Sequence, residues 1–389
     1  MENKLPMLQN SRKNRGLFPF GAALLLIIAG LLGCLAIYSS RAFGDAPMFF
    51  AVRQLLWLCP GIAIFLIGAA IPFRFYRKAA FALLLISLAA LTAVLFRGTA
   101  INGMRGWFDL GFFSFQPSEF AKPLFLLYLC VCCGREKSES AGVWFKMISA
   151  GMLMTGLVMA EPDYGGGVMF FMIFLLIAVL NGAKPHYWLI AGGIMLTGTI
   201  IFLLRNDYAL MRIIGFLNPE SESAWHIRQF QYTMAHGGWI GSDWGNALWS
   251  GSFLPFPHTD SLFASIVEST GFTGGVLVIG GFLTTGAGFC SLAWKVRGEN
   301  NDRRFFIFGA GAMYLIQALI HISVNCVLIP PTGVTLPILS YGGSSLLAVL
   351  LTYGMAFSAA RQEDSETLKS VPQKASAERR IDPAESLRR

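Results

Sequence analysis

The tripeptide His258-Thr259-Asp260 sets an imidazole and a carboxylate two residues apart, directly before a long apolar run. Asp260 has two local readings, a catalytic group or the N-cap of the helix that follows. His258 and Asp260 also have the spacing of a metal pair, without an obvious third ligand. Glu119 and Lys122 stand three residues apart inside another apolar segment, the spacing of an ion pair on one helix face. Arg53, Glu161, Asp163, Glu268, His321 and Asn325 likewise lie within or at the ends of apolar segments. A charge at membrane depth costs a few kcal/mol or more, so such groups pair or line a wet cavity. Taken singly, each reads as an interfacial group with its head in water. Six or more on one side of a bundle read as a cavity open to that side. No nucleophile elbow, Walker loop, HExxH or dinucleotide fingerprint is present, which excludes an ATP-driven pump within this chain.

The elements that position these residues follow from hydropathy. Hydrophobic residues make up 54% of the 389 and charged residues 13%, against about 25% charged in soluble domains. Apolar runs fall at about 17–38, 51–71, 79–97, 118–134, 146–160, 166–182, 187–204, 262–292, 305–328 and 338–360. Each approaches the roughly 20 residues that cross a hydrocarbon core as helix. The reading is an all-α integral membrane protein of about ten transmembrane helices. Residues 1–16 form an N-terminal tail, 17–360 the membrane domain and 361–389 a disordered polar tail. The eighth run is long enough to tilt or to include an interfacial turn. Lys4, Arg12, Lys13 and Arg15 before an apolar stretch ending at Cys34 also fit a secretory signal. The apolar sequence continues to Tyr38 and a second span follows at once, so the first-helix reading is preferred. The seven cysteines lack zinc-ligand spacing and read as packing residues.

With an even number of spans and the N-terminus inside, 22 of the 30 basic residues fall on the cytoplasmic side and eight outside. That bias places both termini in the cytoplasm. The net charge of +8 then reflects topology, and a nucleic-acid partner is a poor explanation for it. Three outer segments are more than turns: 98–118, the large loop 205–261 and 330–344. The large loop should carry a helix from about Ser223 to Ala235, capped by Ser223 and ended by Gly237-Gly238.

Gly103-Met104-Arg105-Gly106-Trp107-Phe108-Asp109-Leu110-Gly111, followed by Phe115-Gln116-Pro117-Ser118-Glu119-Phe120-Ala121-Lys122, resembles the second outer loop of the SEDS family. That family comprises the FtsW, RodA and SpoVE proteins of division, elongation and sporulation. Arg53-Gln54, Leu254-Pro255 before His258-Thr259-Asp260, and Pro331-Thr332-Gly333-Val334-Thr335-Leu336-Pro337 leading into Ser340-Tyr341-Gly342-Gly343-Ser344-Ser345 match in the same order. The resemblance covers about 17–361. It implies a glycosyltransferase that polymerises lipid II into peptidoglycan with a class B penicillin-binding transpeptidase, among divisome or elongasome proteins. It also implies an outward-facing cavity in the bacterial cytoplasmic membrane. Asp260 becomes the expected base, and Arg53, Arg105, Glu119, Lys122, His258, Glu268, Ser340, Gly342, Gly343 and Ser344 the expected cavity or substrate residues. No cofactor is expected to be tightly bound. A divalent cation, magnesium or manganese, is the one candidate. Arg53, Arg105 and Lys122, or that ion, could offset the leaving pyrophosphate.

The glycine-rich ends around Tyr341–Ser345 and Glu161–Gly166 have two readings, cavity lining or close helix packing. The chain also departs from the family pattern. Phe256 stands where a glutamate is usual, Ser261-Leu262-Phe263 replaces a Phe-Ile-Phe run, and Glu268-Ser269 replaces a glutamate pair. Asp243 is the nearest acidic candidate to stand in for the missing glutamate. Gly245-Asn246 and Thr335-Leu336-Pro337 lean toward the division branch. Two other classes stay open, a lipid-linked precursor flippase and a degenerate scaffold that recruits a transpeptidase.

Overall fold

A computed structural model of the chain describes residues 5–44, 46–101, 104–111, 113–135, 141–205, 207–218, 220–221, 224–296 and 301–361. The expected capping residue Ser223 and the polar tail from 362 onward lie outside the described residues. Helices α1 (Leu5–Ser40), α2 (Pro47–Ala70), α3 (Phe73–Arg97), α4 (Pro117–Arg135), α5 (Ala141–Ala160), α6 (Tyr164–Leu180) and α7 (Pro185–Arg205) come first. The large loop folds as α8 (Asp207–Leu217), α9 (Trp225–Gly237) and α10 (Leu248–Ser252). Helices α11 (Leu262–Lys295), α12 (Asp302–Asn325) and α13 (Gly343–Arg361) complete the bundle. Each of the ten apolar segments is thus helical. Eight of these helices are long and apolar enough to cross a membrane, while α6 has 17 residues and α4 carries Glu119 and Lys122 in its first two turns.

Three expectations shift. Helix α1 already runs from Leu5, through residues assigned to a tail. The last helix starts at Gly343 instead of 338, because Ile338 has a left-handed φ of 67° and Pro337 offers no N–H to a helical ladder. The segment 98–118 is no irregular loop but a small antiparallel sheet, β1 (Thr99–Ile101), β2 (Met104–Asp109) and β3 (Ser114–Phe115), in the order β1-β2-β3. Thr99 pairs with Trp107, and Phe108 with Phe115.

Helices α4, α12 and α13 form the centre, with Phe125, Leu126, Phe306 and Leu350 wholly buried among them. Gly354 of α13 lets the backbone of α2 come close; a β-carbon there would sit 3.1 Å from the Ala69 nitrogen. Outward-facing apolar side chains such as Leu189 and Leu277, each 76% exposed, give the bundle the exterior that lipid covers. Helix α7 is the least embedded of the long helices, with Ala191 alone buried. At one end of the bundle Asp302 is buried and held by Arg77, whose Nε lies 2.5 Å from Oδ2. Arg303 of the same turn donates from Nε to the Ala359 carbonyl at 2.8 Å. The functional residues cluster at the other end.

Helix α11 is broken at Gly271, whose φ of 71° and ψ of −173° are not helical. The nine residues before the break are nearly all buried, whereas those after it are mostly lipid-facing. At the break the Phe272 N–H donates to the Gly238 carbonyl at 2.9 Å, and a β-carbon on Gly271 would collide with the Trp239 carbonyl. Gly271→Ala is therefore expected to lower Tm, by about 1–3 kcal/mol of backbone strain plus the clash. A thermal melt in detergent reads it, and an unchanged Tm sinks the idea of a tight joint.

Candidate functional site

Asp260 ends the last turn of the large loop, and two distant elements hold its backbone. Asn325, at the end of α12, donates from Nδ2 to the Asp260 carbonyl at 3.0 Å, and its Oδ1 accepts the Ala264 N–H at 3.0 Å. On the other side the Ser340 hydroxyl donates to the Thr259 carbonyl at 2.7 Å while accepting the Leu336 N–H at 3.0 Å. The Tyr341 N–H donates to the His258 carbonyl at 2.9 Å. His321 sits one turn before Asn325. Its Nδ1 donates to the Val334 carbonyl at 2.8 Å and its Nε2 accepts the Phe263 N–H at 3.3 Å, which requires the neutral ring. His321 and Asn325, read from sequence as cavity groups, are thus braces behind the tripeptide. Asn325→Leu would leave a buried N–H and a buried carbonyl without partners, each costing about 1–3 kcal/mol. The expected result is a lower Tm and slower turnover, checked by melting and product formation on the same preparation.

The Asp260 side chain is only partly exposed, and a β-carbon on Gly333 would lie 3.9 Å from its Oδ2. Burial pushes its pKa up to about 6, with Asp163 adding to the rise and Arg212 opposing it. Asp163 caps α6 by accepting the Gly166 N–H at 2.7 Å and is itself raised to about 6, first by burial. Glu161, two residues earlier, is fully buried and rises to about 8 through burial and then its neighbour Asp163. Acids held this closely titrate apart, so one stays protonated near neutrality while another is charged. The segment around Gly333 threads between the two halves, since Gly165 beside Asp163 abuts Thr332 and Val334.

Glu119 and Lys122 form the expected pair, at 2.9 Å to Oε1 and 2.8 Å to Oε2. Lys122 also donates to Gln317 Oε1 at 3.1 Å, and Gln317 Nε2 donates to the Thr335 carbonyl at 3.0 Å. The pair thereby ties α4 to α12 and to the loop before α13. Ser344 accepts the Gln116 N–H at 3.0 Å and closes the same corner.

Arg212 of α8 was not legible as a site residue. The sequence counts it only among the outer basic residues, yet its charge acts on both Asp260 and His226. Helix α8 exposes Leu210, Met211, Ile214 and Leu217, an amphipathic pattern that signals an interfacial helix and would have located it.

Other expected residues stand elsewhere. The His258 ring stacks on Phe50, centroids 4.0 Å apart, near Tyr341, and burial with Arg41 lowers its pKa to about 4. Arg53 lies on that same side, 5.4 Å over the Phe49 ring. Arg105 is exposed on β2, whose backbone N–H donates to the Glu161 carbonyl at 3.3 Å. Gly342 donates its N–H to Gln54 Oε1 at 3.2 Å, and a β-carbon on Gly343 would stand 2.9 Å from the Trp57 ring. Packing against α2 is therefore the reading that fits these two glycines. Glu268 is a correction. It does not line the cavity but is wholly buried, accepting the Trp249 N–H at 2.8 Å, the Ser250 N–H at 2.7 Å, the Ser250 hydroxyl, and a bond with His236 at 2.9 Å. It fastens α10 and α9 to α11. Asp243 is exposed in a turn with a φ of 70°, and Phe256, 41% exposed, has a φ of 49°.

The described donors do not by themselves assemble a divalent-ion site. His258 and Asp260 meet different neighbours, and among the described residues no group of three or more His, Cys, Asp or Glu side chains is placed to hold a metal.

Residues 18–365 match the family described as "Cell cycle protein", FtsW, RodA and SpoVE. The chain is 29% identical over 369 residues to "Probable peptidoglycan glycosyltransferase FtsW" of Trichlorobacter lovleyi, covering 90% of this chain and 95% of that one. It is 32% identical over 360 residues to "Stage V sporulation protein E" of Bacillus subtilis, covering 87% and 96%. A solved structure described as "Structural coordination of polymerization and crosslinking by a peptidoglycan synthase complex" overlays with a TM-score of 0.73 at 27% identity, over 88% of this chain and 98% of the other. The family match over most of the chain and the overlay of the solved structure agree, and the chain belongs to the FtsW, RodA and SpoVE family of multi-pass bacterial membrane proteins.

Proposed function

We propose that this chain is a peptidoglycan glycosyltransferase that polymerises lipid II in division or elongation, with Asp260 as general base. The observation that carries the reading is a carboxylate whose backbone is braced from behind by Asn325 and, through Thr259, by Ser340, and which feels the charges of Asp163 and Arg212. In the reaction the acceptor sugar's 4-hydroxyl attacks the anomeric carbon of the donor. The new glycosidic C–O bond forms as the bond to undecaprenyl pyrophosphate breaks, and the hydroxyl proton passes to Asp260. One displacement turns an α-linked donor into a β-linked product, an inverting reaction. Arg212 is the cation that supports charge on the leaving pyrophosphate. Lys122 is already neutralised by Glu119, and Arg53 and Arg105 stand off to the sides.

The 22-to-eight distribution of basic residues supports an orientation with this end of the bundle outside and both termini in the cytoplasm. A class B transpeptidase is the proposed partner, supported by the likeness to a solved synthase complex. The deciding experiment supplies lipid II to the purified chain in liposomes, with and without that transpeptidase, and reads glycan strands on a gel. Strands from the wild type support the polymerase. Strand-free reactions under both conditions point to the scaffold, with Phe256 as the first residue to restore to glutamate. Translocation of labelled lipid II without polymer points to the flippase.

A further inference from the structure

At the end of the bundle opposite Asp260, three cations line one cavity. Arg77 and Lys78 come from the first turns of α3 and Lys146 from α5, around a cavity of about 310 Å³ floored by Tyr128, Val131 and Val143. That volume is at the lower edge of the roughly 300–1,000 Å³ usual for small-molecule sites. Among the described residues, those that line it include no acidic side chain. Arg77 is fixed as its back wall, because Nε and Nη2 are held by Asp302 at 2.5 and 3.2 Å. Lys78 and Lys146 are exposed at its mouth.

The mouth continues into an apolar rail. Phe81 is 61% exposed and Leu85 49%, three and seven residues beyond Lys78 on one face of a helix that is apolar enough to span a membrane. Basic residues spread by topology alone would ring the bundle. Here they converge from two helices on one hollow, directly above lipid-facing side chains.

We propose that this cavity binds the phosphodiester headgroup of an anionic phospholipid, with Lys78 and Lys146 on the phosphate and an acyl chain along Phe81 and Leu85. A free phosphate shares the headgroup chemistry but gives the rail no role, which is why the lipid is favoured. The inference rests on the orientation proposed above only for the leaflet, which would be the cytoplasmic one. The ligand chemistry does not depend on the glycosyltransferase reading. Basic hollows between transmembrane helices on the cytoplasmic side are a recurring way of holding such headgroups.

The test uses the purified full-length chain in neutral detergent, titrated with phosphatidylglycerol, with phosphatidylcholine of the same acyl chains, or with inorganic phosphate. Native mass spectrometry reads retained lipid and a thermal melt reads Tm. The wild type is expected to retain phosphatidylglycerol roughly tenfold more tightly than phosphatidylcholine. Lys78→Gln with Lys146→Gln should remove that preference while Tm in phosphatidylcholine stays the same. If the double variant fails to fold, Lys78→Arg with Lys146→Arg should keep the preference. Equal retention of the two lipids by the wild type overturns the proposal, as does an unchanged preference in the Gln variant. Displacement of phosphatidylglycerol by millimolar inorganic phosphate overturns the lipid assignment in favour of a free-phosphate site.

Discussion

Asp260→Asn is expected to lower glycan-strand synthesis by about 100- to 10,000-fold, the range over which a positioned base acts. Asparagine keeps the shape and cannot take the acceptor's proton. The fold should survive, because the bonds that tie this turn to distant elements go to the Asp260 and Thr259 carbonyls, and the hydrogen bond its carboxylate receives from neighbouring Thr259 can go to the asparagine oxygen as well. Tm therefore stays close to the wild type while turnover collapses. The pH profile adds a second check. A base must be deprotonated, and burial has raised this carboxyl to about 6. Activity should thus be near its plateau at pH 7.5, fall to half near pH 6, and drop about tenfold for each further unit. An ordinary aspartate would keep full activity to pH 5. Equal product from wild type and variant removes Asp260 from the mechanism, and a flat profile down to pH 5 contradicts the raised pKa.

Lys122→Met should be the most destabilising single change at the site. It leaves the Glu119 carboxylate, 13% exposed, and Gln317 Oε1 without their cation. Breaking a buried pair from one side costs about 3–5 kcal/mol. That corresponds to a fall in Tm on the order of 10 °C. Replacing both partners, Glu119→Leu with Lys122→Met, should recover most of the loss, since an apolar pair of similar volume is close to neutral. The double variant also separates two roles. Turnover that returns with stability makes the pair a brace for α12 and the loop at Thr335. Turnover that stays low gives Lys122 a share in holding substrate charge. A single variant as stable as the wild type discards the buried-pair account.

Much of this was legible in the sequence because hydropathy and charge are local properties. The apolar runs located all ten long helices to within a few residues at most ends, and Glu119 with Lys122 paired as their spacing required. Asp260 could be placed at the head of α11, but its two local readings were separable only through family resemblance. What was not legible depends on residues far apart in the chain. Glu268 looks like a costly charge near a cavity until α10 and His236 arrive to satisfy it. Arg212 lies on a short amphipathic helix that spans no membrane, so a search for apolar runs passes over it. The start of α13 slipped by five residues because Ile338 takes a conformation that no apolar pattern reports. His321 and Asn325 share a helix face as expected, yet what that face touches is the first turn of α11 and the Asp260 carbonyl before it, some 60 residues earlier.

The bracing of Asp260 from downstream also sets a clock on the protein's birth. Thr259 is held by Ser340, 81 residues later in the chain. A ribosome adding about 5–20 residues per second needs roughly 4–16 s to cover that stretch. Throughout that interval the nascent chain already carries its carboxylate but lacks the full set of partners that aim it, since Asn325 comes late in the stretch and Ser340 at its end. Chains cut short before residue 340 should therefore be inert however well their first seven helices insert. Activity would switch on only once the final helix is in place, so an incompletely made enzyme cannot begin drawing on cell-wall precursor.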